Sequence, residues 1–328
     1  MANIASLLNQ RNNYRASIVY MPADCWHIAI AGRKNMNPET WIYATWLIKV
    51  VLYLGIAFVV GGAFSYFLLG RYVEIRETLL KYITIGAGLG FISSTLGFFV
   101  LIGSFANTGL SGMWDSNYIN ILINTPTGHI HIIRSVSFAL LLLFMIVKLS
   151  KGTIQVSKVE GTIFTILLIP MVFSFSQLGH VTNLPFFAQF LLSIHVLVMS
   201  LWMGSLFPLW KTSKKITGLP LKDRMHLFGR IAAFVVGILL ACGASIALLL
   251  IKDFNTLLNT PYGHGFIIKI AFVLSILLLA AFNKWYFTPR LQDPKFARQL
   301  GYAILFEMSL GLMILLTTGY ITTVVGIE

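Results

Sequence analysis

Asn124-Thr-Pro-Thr-Gly-His129 returns 135 positions later as Asn259-Thr-Pro-Tyr-Gly-His264. Ile132-Ile133-Arg134 answers to Ile267-Ile268-Lys269, and each copy runs on into a long apolar stretch. In a chain this hydrophobic, the repetition marks two related membrane halves. Each copy sets a histidine and, five residues later, a cation at the start of a membrane helix. Ionisable groups are costly there and usually serve a purpose.

Composition sets the class. Hydrophobic residues make up 57% of the 328 residues and charged residues 11%. Apolar runs of about 20 residues with almost no charge read as transmembrane helices. The sequence predicts eight: Trp41–Leu69, Tyr82–Ala106, His129–Val147, Thr162–Leu178, Phe186–Trp210, Ile231–Ile251, Gly265–Phe287 and Leu300–Thr323. The expected fold is thus an all-α polytopic membrane protein built as two parallel four-helix repeats, residues 41–180 and 181–328. Residues 1–40 read as an outward tail with no signal peptide, with 18–31 on the membrane surface.

Orientation follows from Lys and Arg. The odd loops carry Arg71, Lys151, Lys214, Lys215, Arg224, Arg290 and Arg298 among others, and the even loops only Lys252. The positive-inside rule puts the odd loops in the cytoplasm and both termini outside. The net charge of +13 is mostly loop charge and does not point to nucleic acid. Cys25 and Cys242, far apart in this topology, are expected to stay unpaired.

Most histidines fall on the outer side of this map. His129 and His131 open the third span, His264 opens the seventh and His180 ends the fourth. Converging imidazoles build metal sites in helix bundles. Histidines at interfaces also simply cap helices or face water. His195 lies inside the fifth span, followed by Met199 and Met203 at i+4 and i+8, so the three share one helical face. An imidazole followed by two thioethers is a ladder of increasingly soft ligands that favours Cu(I). Methionine also fills gaps in bundles, and both readings stay open. Glu307 is the one carboxylate well inside a span, suited to relaying protons or balancing an ion. Arg134 and Lys269 are expected to snorkel to the outer interface. Met113, Met308, Met313 and the Cys25–His27 patch are weaker candidates. No Gly-x-Ser-x-Gly elbow, Walker A loop or His-Glu-x-x-His pair is present, so no enzyme is expected.

The Asn259–Lys269 stretch, the run Ala280-Ala281-Phe282-Asn283-Lys284 and the segment from His195 to Ser200-Leu201-Trp202-Met203-Gly204 resemble the bacterial copper resistance protein D family (CopD/PcoD). Gly179-His180 and Thr125–Arg134 resemble its first half. The resemblance implies a multi-pass inner-membrane protein importing or handling copper beside a periplasmic carrier of the CopC type. It also implies that His195, Met199 and Met203 are pathway ligands and that the outer histidines form an entry site. Basic residues such as Arg are common in relatives where His129 and His264 stand, so their metal role rests on chemistry alone. Two alternatives remain: a membrane redox protein holding haem b between histidines such as His195 and His180, and an assembly factor delivering copper without full translocation.

Overall fold

A computed structural model describes residues 37–152, 155–179, 182, 185–250 and 254–326. The tail expected over 1–40 lies outside the described residues up to 36, taking Cys25 and His27 with it, and so does His180. All the regular structure described is helical. The main helices are α1 (Pro38–Leu69), α2 (Val73–Ala106), α3 (Ser116–Ile123), α4 (Pro126–Ser150), α5 (Lys158–Phe173), α6 (Phe186–Lys215), α7 (Leu219–Leu250), α8 (Phe254–Asn259), α9 (Pro261–Phe282) and α10 (Pro294–Tyr320). A π turn and a 3-10 turn carry α9 on to Arg290, and a π turn extends α10 to Val325.

Among the described residues seven helices are long and apolar enough to cross a membrane: α1, α2, α4, α6, α7, and α9 and α10 with their extensions. The eighth expected span is shorter than its apolar run. α5 has 16 residues, about 24 Å at 1.5 Å per residue, against a hydrocarbon core of about 30 Å. The segment Ser174-Phe-Ser-Gln-Leu178 leaves the helix, its serines turning their hydroxyls onto the last carbonyls. Ser174 Oγ donates to Met171 O and Ser176 Oγ to Phe173 O, and such side-chain bonds compete with helical ones.

The repeated hexapeptide is a helix start in both copies. Thr125 caps α4, its Oγ1 accepting from Gly128 N at 3.1 Å, and Thr260 caps α9, accepting from Gly263 N at 3.0 Å. Proline follows at the first helical position, where its missing N–H leaves no bond unmade. A short helix, α3 or α8, precedes each start. Gly128 is required by contact: a Cβ there would stand 1.9 Å from Leu122 O.

α1 is central, packing along α2 and α6. Glycines make this possible. A Cβ on Gly55 would lie 2.7 Å from Gly90 N, and one on Gly204 would lie 1.7 Å from Ala57 O. Small residues let membrane helices approach backbone to backbone, where van der Waals packing replaces the hydrophobic drive. The two halves do not pack alike. α4 lies along α2, whereas α9 lies along α10 rather than α7. That difference opens a cleft of about 280 Å³ among α6, α7, α9 and α10.

Candidate metal centre

The site begins with why α6 stays intact across the bundle. Pro208 has no N–H, so the Gly204 carbonyl four residues earlier loses its helical partner. In lipid an unpaired carbonyl costs several kcal/mol, of order 2–7 by transfer measurements. The Tyr82 hydroxyl on α2 donates to Gly204 O at 3.0 Å and fills the vacancy. Upstream of this point the helix is unbroken and carries His195, Met199 and Met203 in one register, each step rising about 6 Å.

His195 is half-buried and its Nδ1 lies 3.1 Å from Leu239 O on α7. A carbonyl only accepts, so Nδ1 carries the proton and Nε2 keeps its lone pair. Histidine ligands are commonly oriented in this way, by a backbone carbonyl on the other nitrogen. Gly243 makes room for the ring: a Cβ there would lie 3.0 Å from its Cε1. Met199 is buried beside Val50 of α1 and Leu315 of α10. Met203 packs partly into the same cluster, and its methyl occupies the gap beside Gly311 of α10, where a Cβ would be 2.7 Å away. The column thus sits at the junction of α6 with α7, α1 and α10, and Lys269 of α9 lies close enough to His195 to act on it electrostatically.

The outer histidines are placed differently. His129 is exposed on the first turn of α4. His131 is half-buried against α2, its Nδ1 facing Ser94 O at 3.5 Å. His264 is exposed, and its Nε2 donates to Leu258 O at 2.7 Å, fastening the elbow between α8 and α9. Among the described residues no three His, Cys, Asp or Glu side chains come together as metal ligands. The expected fourth member, His180, is outside the described residues. Cys242 is a buried free thiol.

Arg134 does not snorkel. It is 4% exposed, its Nε and Nη2 donating at 2.8 Å to the hydroxyl and carbonyl of Ser174, with its guanidinium 4.9 Å over Phe175. It caps the C-terminal end of α5, where a cation meets the negative end of the helix dipole. Nearby in the chain order of α1, Lys49 donates to Thr322 Oγ1 at 2.8 Å. These cations are held by hydroxyls, carbonyls and a ring. Tyr82, Gly243 and Ser174 were not singled out from the sequence. An intrahelical Pro208 signals an orphan carbonyl, but nothing in the chain says which hydroxyl will reach it.

Long apolar helices packed through glycine, with few buried charges, define a multi-pass helical membrane protein. A family model described as copper resistance protein D-like, N-terminal domain, matches residues 37–184, and the copper resistance protein D model (CopD) matches residues 223–321. The chain belongs to the copper resistance protein D family, a family of copper resistance and transport. No curated protein and no solved structure gave a match. Neither matched stretch includes α6, so the column is read from the geometry of this chain.

Proposed function

We propose that this protein passes copper, as Cu(I), inward across the bacterial inner membrane along the His195–Met199–Met203 face of α6. The observation that carries the reading is His195: a membrane imidazole whose Nδ1 is tied to Leu239 O and whose Nε2 is left for a metal, one and two turns above two thioethers. Thioethers and imidazole bind Cu(I) and release it, which conduction requires. The Lys- and Arg-poor side, with His129, His131, His180 and His264, is the periplasmic entrance, and a soluble copper carrier of the CopC type delivers the ion there.

Metal content of the purified, detergent-solubilised protein, measured by mass spectrometry, tests the reading. Stoichiometric copper in the wild type and its loss in His195→Ala is the expected result. Iron with a haem spectrum and no copper would replace it with the redox reading. Copper bound in vitro without copper accumulation in cells would reduce it to delivery without translocation.

A further inference from the structure

The column ends beside a polar pair that soft-metal ligation does not use. Met203 reaches α10 at Gly311. One helical turn along α10 from Gly311 stands Glu307, 4% exposed. Asn283, just past the end of α9 and 7% exposed, donates from Nδ2 to Glu307 Oε1 at 2.8 Å. Its own Oδ1 is buried and has no hydrogen-bond partner. Both residues line the cleft of about 280 Å³, as does Trp202, the neighbour of Met203 in the chain.

The rest of the lining narrows the chemistry. The walls from α6, α7 and α9 are apolar, and among the described residues Lys284 is the one other charged side chain lining the cleft. Lys284 makes no ion pair with Glu307, and its stem lies against Gly229 of α7. A buried ionised carboxylate with one hydrogen bond and no paired cation is stabilised by taking up a proton or a counter-ion. The donors offered are oxygens alone, a carboxylate and an amide carbonyl. Such a set is hard and does not match the thioethers that suit Cu(I). The cleft has room for water to bring or remove a proton.

We propose that Glu307, held by Asn283, is a proton-binding site at the Met203 end of the column, and that its proton leaves when a monovalent copper ion arrives at Met203. The exchange balances: Cu⁺ enters the region as H⁺ passes from the carboxyl oxygen to water in the cleft, and no electron moves. The exchange, though not the proton site itself, rests on the copper reading above.

Two measurements on the full chain in detergent test it. The first is a pH titration followed by infrared spectroscopy. Exposed carboxyls give the carbonyl stretch of a protonated acid only in acid; in the wild type one further such band should persist above that range, disappear only on alkalinisation, and be missing from Glu307→Gln. Glutamine keeps the acceptor for Asn283 Nδ2, so folding is preserved. Superimposable titrations of wild type and variant would overturn the proton site. The second adds anaerobic Cu(I) to weakly buffered protein with a pH dye. Metal binding that displaces a proton should release about one proton per ion in the wild type. Glu307→Gln should release correspondingly less per ion bound, and equal release from both would overturn the exchange. A wild type that binds no copper would sink the proposed function and the exchange together, while the infrared result would still decide whether Glu307 carries a proton.

Discussion

The hydroxyl of Tyr82 bonds the carbonyl of Gly204 at 3.0 Å, and it does so because Pro208 is unable to. An interruption in α6 is thereby repaired by α2. The repair falls on Gly204 itself, which follows Met203 in the chain and makes the close contact of α6 with α1.

Tyr82→Phe should lower stability by about 1–3 kcal/mol, the cost of a buried acceptor left unpaired. Thermal unfolding in detergent measures it. The same change made in a Pro208→Ala background should cost less, because the restored N–H supplies the helical bond. Equal costs in both backgrounds would mean that the hydroxyl does not serve the orphan carbonyl.

Gly204→Ala should fail to give a monodisperse protein. Its Cβ would lie 1.7 Å from Ala57 O, a backbone atom with no rotamer to move. Gly237→Ala meets nothing within 4 Å and should behave as wild type. Size-exclusion profiles of the two variants compare them directly.

Gly243→Ala should weaken copper binding while every candidate ligand remains. The new methyl would press on the His195 ring, 3.0 Å from Cε1. A ring pushed off its bond to Leu239 O loses the group that orients it, a loss that typically costs about 10–100-fold in metal affinity. A competition titration with a Cu(I) chelator reads this. Unchanged affinity would remove His195 from the site or show that its orientation is irrelevant.

Arg134→Lys should destabilise the protein by about 1.5–3 kcal/mol, the usual worth of hydrogen bonds to a charged group. An ammonium does not reproduce the two-pronged hold on Ser174 Oγ and O. Denaturant or thermal melts would measure the loss, and faster hydrogen exchange at the end of α5 would locate it.

Acid should loosen the α4–α5 turn. Lys148 Nζ bonds Glu160 Oε1 at 2.7 Å, and Ser157 N donates to Glu160 Oε2 at 2.7 Å. The lysine bond, followed by the backbone bond, holds the Glu160 carboxyl below its ordinary value. The folded carboxyl titrates lower than the unfolded one, whose pKa is about 4.3. The pair therefore contributes stability above that value and loses it as pH falls through the lower folded one. Glu160→Gln should flatten this acid-side fall in melting temperature. An identical pH profile in the variant would show that Glu160 plays no part.

Much of the fold was written locally. Apolar runs of membrane length, the Thr-Pro helix starts and the Ser157–Glu160 capping box depend on residues within a few positions of one another. The sequence alone therefore determined an all-helical membrane protein, and seven of its eight expected spans fall on helices long enough to cross. Only the tertiary structure decided the rest. α5 stops at Phe173 and Arg134 turns inward to meet it. His264 serves its own elbow, and the unequal packing of α9 opens a cleft beside Glu307. The physical reason is range. Tyr82 and Gly204 are 122 positions apart, and in a bilayer every apolar face suits lipid equally well. Which faces meet is then set by glycine gaps and buried polar groups seeking partners on other helices.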